Sequence, residues 1–193
     1  AGQYVNLKLP EGIGNRAFSV ASAPVEDNRI ELNVRRVPGG QGTAWLHDTL
    51  KAGGPLGFTG PFGRFFVRKS ANLPMIFLAG GSGLSSPRSM ILDLLGEGCE
   101  LPITLINGQR SRAELYYHEE FEALAARHAN FRYVPVLSDE PEGSDWSGAR
   151  GFAHEAAIAA FDNDFRGHKA YLCGPPVMIE ACITALMFWK TFG

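Results

Sequence analysis

Residues 74–87 of the chain, PMIFLAGGSGLSSP, join an unbroken apolar run to a turn of small residues that ends in a proline. The apolar run, residues 74–79, is typical of a strand that is buried on both faces of a parallel sheet. Pro87 is a preferred residue for the first turn of a helix, so we predict a helix from Pro87 to about Leu95. The stretch therefore predicts a strand, a glycine-rich turn and a helix, which is the repeating unit of an α/β domain.

The turn between this strand and this helix consists of four small residues: Gly80, Gly81, Ser82 and Gly83. Glycines allow the backbone to approach a ligand closely, and a helix N-terminus supplies free N–H groups and the positive end of a dipole. A pyrophosphate suits this combination, although the turn matches neither the G-x-G-x-x-G fingerprint nor a P-loop. Two alternatives stay open: a plain strand–helix turn, and a hydrolase with Ser82 as nucleophile and His154 or His168 as its partner.

Strands and helices continue to alternate after this unit. Apolar runs predict strands at residues 102–106, 131–136 and 169–173, and helical periodicity predicts helices at residues 114–126, 152–161 and 176–187. This alternation predicts a doubly wound parallel sheet. The apolar residues 181–189 are expected to form part of a buried amphipathic helix.

The last predicted strand ends in Cys173, which is followed by Gly174, Pro175 and Pro176. Ligands of open α/β sheets bind outside the carboxyl ends of the strands, so Cys173 is placed to meet a ligand. A buried structural cysteine is the alternative.

The first part of the chain has the pattern of strands separated by turns. We predict strands at residues 4–9, 16–21 and 29–37, and a helix at residues 43–50 with Thr43 as its N-cap. Residues 53–63 are rich in Gly and Pro, which predicts tight corners or bulges. The pattern favours a small antiparallel β-barrel. A boundary at residues 69–73 then divides the chain into a domain of residues 1–70 and a domain of residues 71–193.

Two segments of the first domain carry side chains that suit a ligand. Strand alternation places Arg16 and Phe18 on one face and Ser19 on the other. A cation can pair with a phosphate, and an aromatic ring can stack on a flat ring. Residues 39–43, GGQGT, lead into the predicted helix and form a second possible anion cradle. A strand with one buried Phe and one solvated Arg is the alternative.

Composition excludes several classes of protein. The net charge is −2 and basic residues form no long run, which argues against nucleic acid or an anionic membrane as the main partner. No apolar stretch reaches the roughly 20 residues of a membrane span. Three widely spaced cysteines make neither a disulfide framework nor a zinc site, and an iron–sulfur cluster needs four. We therefore expect no metal site in this chain, and a reducing, cytoplasmic location.

Four motifs in this order resemble the ferredoxin–NADP reductase-like flavoprotein superfamily. They are residues 16–19 (RAFS), 40–43 (GQGT), 80–87 (GGSGLSSP) and 173–176 (CGPP). Residues 60–69 and 167–173 are most similar to the reductase component of multicomponent phenol hydroxylases, and the toluene and methane monooxygenase reductases are related. The resemblance covers the whole chain.

The resemblance implies an FAD site in the first domain. Arg16 would hold the FAD pyrophosphate, Phe18 would lie against the isoalloxazine ring, and Ser19 would hydrogen-bond near flavin N5. The family usually has Tyr where this chain has Phe18. Gly42 and Thr43 would meet the FAD phosphates, and the same set includes Ala17, Val34 and Gly40.

The resemblance also implies a nicotinamide nucleotide site in the second domain. Gly80, Gly81, Ser82 and Gly83 would face the nucleotide's pyrophosphate. Cys173 would lie beside the nicotinamide, with Gly174 and Pro175 next to it. Ser19 and Cys173 would be the residues nearest the hydride transfer.

The choice between NADH and NADPH depends on the end of the second predicted strand. That strand leads into Arg110 and Arg112, and its tip carries no acid of the kind that grips the ribose of NAD. Both arginines could bind a 2′-phosphate, or Arg110 could contact the ribose or pyrophosphate. The reductases that the chain resembles use NADH, so we expect NADH, with NADPH as the alternative.

The activity implied is hydride transfer from NADH to FAD, then single electrons onward to an iron–sulfur centre that serves an aromatic-ring hydroxylase. The family's barrel has six strands, and its phenol hydroxylase members carry a preceding [2Fe–2S] domain and a C-terminal strand with an aromatic residue. This chain lacks those parts, so we expect it to be a piece of a longer protein. A regulatory nucleotide-binding module of the same fold is the alternative function.

Overall fold

The computed structural model describes residues 1–25 and 28–188. The strands in these residues are β1 (Tyr4–Lys8), β2 (Arg16–Ser19), β3 (Gly57–Phe62), β4 (Met75–Gly80), β5 (Ile103–Gln109), β6 (Phe131–Leu137), β7 (Ala149–Arg150) and β8 (Lys169–Cys173). The α-helices are α1 (Gln41–Ala44), α2 (Ser85–Gly96), α3 (His118–Arg127), α4 (Ala153–Ala160) and α5 (Pro176–Phe188).

The first three strands form an antiparallel sheet in the order β2-β1-β3. Val5 lies opposite Phe18 and Leu7 opposite Arg16, so Phe18 and Arg16 share a face with two buried apolar residues. This register confirms the predicted alternation of β2. Residues 53–63, predicted as corners or bulges, contain strand β3, which was not predicted. The pairing of β3 with β1 shifts register between Tyr4 and Asn6, as a bulge does.

The predicted strand at residues 29–37 is wrong. Its contact with the sheet is an isolated antiparallel bridge between Val20 and Leu32. The alternating pattern is real, but the side chains of Glu31 and Asn33 bind residues of the second domain. The segment therefore runs along the domain interface as extended chain, without the continuous ladder that would make it a strand.

The predicted helix near residue 43 begins earlier than expected. Its first turn is α1, its N-cap is Gly40, and it continues as a π-helical turn at Trp45–Thr49. Thr43 is therefore not the N-cap. Its hydroxyl accepts a hydrogen bond from the Val37 N–H at 3.1 Å and donates to the Gly40 carbonyl at 3.2 Å, which closes the preceding glycine turn.

The second sheet is parallel and has the order β7-β6-β5-β4-β8. The chain moves from β4 to β7 in one direction and then returns to place β8 on the other side of β4. The strand order therefore reverses between β4 and β8, and ligands of open α/β sheets bind in the crevice at such a point. An antiparallel sheet followed by this parallel sheet confirms the predicted fold class. The division near residue 70, where a 3-10 turn spans Lys69–Ala71, stays a prediction.

Both faces of the parallel sheet are covered, as the apolar run of β4 predicted. One core lies under α2 and α3 and includes Phe77, Leu105 and Phe121; the other lies under α4 and α5 and includes Ile76 and Leu78. All six residues of β4 are buried.

Helices α2 and α3 begin at other residues than predicted, and α5 is less buried than predicted. Helix α2 begins at Ser85, which leaves Pro87 in the first turn, where a missing N–H costs no hydrogen bond. Helix α3 begins at His118 because Tyr117 has a left-handed backbone, with φ of 61°. In α5, Cys182 and Ala185 are buried, but Ile183 and Met187 are exposed, so the predicted burial is wrong for these two residues. Trp189 lies outside the described residues.

Within residues 1–25 and 28–188, no group of three or more His, Cys, Asp or Glu side chains is placed to hold a metal ion. The cysteines are free thiols. No described helix is both long enough and apolar enough to cross a membrane.

Candidate functional site

The turn after β4 packs directly onto the turn after β8. A Cβ atom placed on Gly83 would lie 2.5 Å from the carbonyl oxygen of Cys173, and one on Gly174 would lie 3.2 Å from the Gly80 nitrogen. A Cβ on Gly80 or Gly174 would also meet the side chain of Met178. These glycines therefore let the ends of β4 and β8 come together at the point where the strand order reverses.

The residues of the glycine turn face different parts of the structure. Gly83 faces the Cys173 backbone, so it supports the turn from behind. Gly81 has a left-handed backbone, with φ of 54°, and a Cβ there would lie 3.8 Å from the Arg35 guanidinium. Ser82 is exposed beside it. Of the four turn residues, Gly80, Gly81 and Ser82 line the space between the two domains.

Two clefts meet at this turn. One, of about 390 Å³, lies between the interface segment and the turn and is lined by Val34, Arg35, Gly81, Ser82 and Tyr116, among others. The other, of about 150 Å³, continues along the carboxyl ends of the strands and includes Gly80, Arg110, Phe152 and Pro175. Arg35, Gly81 and Gln109 line both clefts, so the two form a continuous path for an extended ligand.

A buried amide network fixes the glycine turn from below. Gln109 is 5% exposed, and its Oε1 accepts a hydrogen bond from the Gly81 N–H at 3.2 Å. Its Nε2 donates to Asn107 Oδ1 at 2.9 Å, and Asn107 Nδ2 donates to the Tyr133 hydroxyl at 3.3 Å. The Gly81 N–H is thus directed at Gln109. Sequence reasoning missed this role, although two amides in an otherwise apolar strand are an unusual signal.

Cys173 sits at the carboxyl end of β8, as predicted, and is half-buried. Burial raises the pKa of its thiol above the ordinary value. The group is therefore an uncharged thiol at neutral pH, and the thiolate is the form that acts as a nucleophile.

The two arginines after β5 are both paired with acids. Arg110 Nη2 donates to Asp139 Oδ2 at 2.9 Å, and this hydrogen bond raises the pKa of Arg110. Arg112 pairs with Asp145 at 2.5 Å and with Glu140 at 3.2 Å. The expectation of an acid-free strand tip was incomplete, because Asp139 reaches the same edge from the end of the neighbouring strand β6. Sequence spacing from the glycine turn could not reveal it.

The predicted FAD residues of the first domain lie near one another. Arg16, Ala17, Phe18 and Ser19 form β2. A Cβ on Gly42 would lie 3.2 Å from Arg16 Cγ and 3.5 Å from Arg16 Nε, so the absence of a side chain at Gly42 lets the arginine lie against the backbone before α1. Gly40 and Thr43 belong to the same turn. A cation beside this glycine turn suits a phosphate group, so the residues present fit the cofactor that the motifs implied.

The alternative of a Ser82 hydrolase finds no geometric support. In the part of the chain that the structure describes, no hydrogen bond joins the Ser82 hydroxyl to a histidine. His168 instead contacts the Arg166 carbonyl, and His154 stacks on Phe152.

Family comparisons agree with this geometry. Residues 1–67 match the model of the oxidoreductase FAD-binding domain, and residues 77–183 match that of the oxidoreductase NAD-binding domain. The chain belongs to this family of FAD- and NAD-binding oxidoreductases. The predicted resemblance and the two predicted cofactors, FAD and a nicotinamide nucleotide, are thereby confirmed.

Among individual proteins, the chain is similar to components of phenol hydroxylases. The chain is 56% identical over 192 residues to the phenol 2-monooxygenase reductase component DmpP of Pseudomonas sp. (strain CF600), and 50% identical to the phenol hydroxylase P5 protein of Acinetobacter pittii (strain PHEA-2). Each match covers 100% of this chain and 54% of the relative. The chain therefore spans about half the length of the curated relatives it matches.

Solved structures show the same fold. The crystal structure of the Amycolatopsis cytochrome P450 reductase GcoB superposes with a TM-score of 0.87 at 38% identity, over 96% of this chain and 56% of that one. The ferredoxin reductase in carbazole 1,9a-dioxygenase superposes with a TM-score of 0.82 at 27% identity, over 96% of this chain and 55% of that one.

The contact between Gly83 and Cys173 can be tested through stability. We expect Gly83→Ala to lower the free energy of unfolding by about 1–3 kcal/mol, because the new methyl group meets backbone atoms that cannot move aside cheaply. Gly96→Ala is the matched control, since nothing lies within 4 Å of a Cβ there and alanine is favoured in a helix. Urea unfolding of both variants gives the comparison; equal stability of the two would contradict the packing described.

Proposed function

We propose that this chain is the FAD- and NADH-binding part of a reductase that supplies electrons to an aromatic-ring hydroxylase of the phenol type. It takes hydride from NADH and passes single electrons to an iron–sulfur centre that lies outside these residues. The observation that carries the proposal is the continuous cleft at the turn after β4, which joins the two matched domains and is lined by residues of both.

Residues of β2 and the turn before α1 would hold FAD. The Arg16 guanidinium, lying against Gly42, would pair with the pyrophosphate. The half-buried Phe18 would offer its ring to the flavin, and Ser19 would hydrogen-bond near the reacting edge. When bound, FAD supplies the chemistry that the protein lacks, which is acceptance of an electron pair and release of electrons singly.

Residues around the glycine turn would hold the nucleotide's pyrophosphate. Ser82 lies exposed in the cleft, and the exposed Arg35 faces Gly81 from the first domain. Arg35 was not among the residues predicted from the sequence. Because Arg35 comes from the first domain and Ser82 from the second, a phosphate between them would bind the two domains together.

Residues at the end of β8 would form the place where hydride passes. Cys173, Gly174 and Pro175 follow the strand whose end lies against the glycine turn. An uncharged thiol is a soft, polarisable contact for a flat ring. We assign Cys173 to the nicotinamide end of the cleft, on the side away from Arg110.

The acids after β6 favour NADH. Asp139 offers a carboxylate to a ribose hydroxyl, as the acid of an NAD site does. The same carboxylate holds Arg110, the cation that a 2′-phosphate would need. A 2′-phosphate at this edge would meet Asp139 and have to displace its ion pair. Phe152, 58% exposed at the cleft, offers a ring on which an adenine can stack.

An anaerobic visible spectrum of the FAD-reconstituted chain, titrated separately with NADH and NADPH, tests the proposal. We expect the flavin band to bleach, and to do so at a lower concentration of NADH than of NADPH. Bound flavin that neither nucleotide reduces would overturn the assignment of hydride transfer and favour a regulatory module. Preferential reduction by NADPH would overturn the nucleotide assignment alone.

The flavin site can be tested through Arg16. We expect Arg16→Ala to raise the dissociation constant for FAD by about 10- to 100-fold, the size of a lost charge-assisted hydrogen bond. Fluorescence titration of FAD measures this constant. Lys51→Ala is the control, because it removes another exposed cation of the first domain, whose ammonium donates to the Asp48 carbonyl. Equal effects of the two substitutions would remove Arg16 from the site.

The choice of nucleotide can be tested through Asp139. We expect Asp139→Ser to lower the ratio of kcat/KM for NADH to kcat/KM for NADPH by about 10- to 100-fold, because it removes an acceptor for the ribose and frees Arg110. Asp145→Ser is the control: it removes a nearby exposed acid that pairs with Arg112, and the ratio should stay within about threefold. A ratio that Asp139→Ser leaves unchanged would contradict the role of Asp139.

A further inference from the structure

An arginine is buried where the two domains meet. The Arg88 side chain, on α2, is 7% exposed. Its Nε and Nη2 donate to the two carboxylate oxygens of Glu120 at 2.6 and 2.8 Å, which fixes it to α3 within its own domain. Its Nη1 donates across the interface to the Ala21 carbonyl at 2.8 Å and to Glu31 Oε2 at 3.2 Å.

Tyr117 completes this cluster. The Arg88 guanidinium lies 4.0 Å from the centre of the Tyr117 ring. The Tyr117 hydroxyl lies 2.6 Å from Glu31 Oε1 and 2.7 Å from Asn33 Oδ1. One hydroxyl proton cannot serve both oxygens, so it goes to the carboxylate, which is the stronger acceptor. Tyr117 also holds a left-handed backbone that non-glycine residues rarely adopt, which directs its ring into the interface.

The charges of the cluster persist in spite of burial. Burial disfavours the charged form of Arg88, but the hydrogen bond and the charge of Glu120, together with the charge of Glu31, hold its pKa above the ordinary value. Burial, and then the hydrogen bond to Glu31, raises the pKa of the Tyr117 phenol, so the hydroxyl keeps its proton and donates.

Two further bonds fix the same part of the first domain. Asn33 Nδ2 donates to Ser85 Oγ at 2.9 Å, and Ser89 Oγ donates to the Ser22 carbonyl at 2.7 Å. Ser85 is the first residue of α2, and Ser89 lies one turn further along it. Asn33 is followed directly by Val34 and Arg35, which line the cleft over Gly81.

We propose that Arg88 and Tyr117 are positioning residues, which hold the interface segment so that Val34 and Arg35 stay over the glycine turn and the two bound cofactors meet in a reactive geometry. This inference rests on the proposed function. A residue that only stabilised the fold would not need bonds to two domains at once. Arg88 binds Glu120 of the second domain through Nε and Nη2, and it binds Ala21 and Glu31 of the first domain through Nη1. Because the guanidinium is rigid and planar, these bonds together restrict the relative position of the two domains.

Hydride transfer is steep in distance and orientation, and a displacement of about 1 Å can cost about 100-fold in rate. We therefore expect Arg88→Leu to lower the rate of flavin reduction at saturating NADH by about 10- to 100-fold. The dissociation constant for NADH should rise by a smaller factor, because Arg35, which we place at the pyrophosphate, moves with the segment. Arg88→Lys keeps the charge but not the planar fork of donors, so its rate should lie between those of Arg88→Leu and the unaltered protein. Stopped-flow reduction and nucleotide titration separate the two quantities.

A distance measurement gives a second reading that needs no turnover. Spin labels on unnatural amino acids at the exposed positions Glu11 and Glu142, one in each domain, report the separation of the domains. We expect Arg88→Leu to broaden or shift the distance distribution. Arg132→Leu is the matched control, because exposed Arg132 donates to the Ala160 carbonyl away from the interface; it should change neither rate nor distance.

An unchanged distance distribution in Arg88→Leu overturns the proposal, and so does a rate of flavin reduction within about twofold of the unaltered protein. Should Arg88→Leu fail to fold, the same two criteria apply to Tyr117→Phe, which keeps the ring against Arg88 and removes the hydroxyl that contacts Glu31 and Asn33. The distance test still decides the positioning role if NADH fails to reduce the unaltered protein, so failure of the proposed function is distinguishable from failure of this inference.

Discussion

Where β4 and β8 end, the backbone of Gly83 lies so close to the backbone of Cys173 that no side chain fits between them. This contact fixes the turn after β4 against the turn after β8, which is where the strand order of the parallel sheet reverses. Because Gly83 packs against Cys173 on one side of the turn, Gly81 and Ser82 face the first domain on the other side and line the cleft. Gln109 adds a hydrogen bond from below. Gly83 thus acts through the contact it permits between two protein segments, while Gly80, Gly81 and Ser82 line the clefts.

The first domain is held to this turn by polar bonds. The segment at residues 29–37 does not form the strand that its alternation predicts, because Glu31 and Asn33 use their side chains across the interface. The segment therefore lacks a continuous strand ladder for the same reason that it forms the domain interface. Arg88 is satisfied by two carboxylates and a carbonyl, so its burial leaves no unpaired charge. A network of this kind is directional, and directional bonds restrict the relative position of two domains more than an apolar contact does.

The sequence predicted most of the fold because the signals were local. The unbroken apolar run of β4 required cover on both faces, and the alternation of β2 required Arg16 and Phe18 to share a face; both hold. Thr43 was misplaced because a turn of glycines can begin a helix without a side-chain cap. Asp139 and Arg35 were missed for another reason. Each belongs to a segment distant in sequence from the glycine turn. Only the strand order brings Asp139 to Arg110, and only the domain interface brings Arg35 to Gly81. Hydrophobic periodicity indicates which face of a strand or helix a residue occupies. It does not indicate which other segment of the chain packs against that face.

Cys173 lies at the carboxyl end of β8, but its thiol is not in the reactive, charged form. In the proposed site, the reacting ring of the nucleotide lies beside Cys173 at the end of β8, and a cysteine in such a place could act as a nucleophile. Burial raises the pKa of the thiol, so the charged form that nucleophilic attack requires is disfavoured. An uncharged, polarisable group can instead pack against a flat ring without adding charge to it. Hydride transfer needs donor and acceptor to be held close and correctly oriented. In the proposed site, a neutral Cys173 beside glycines that permit close approach would meet that need.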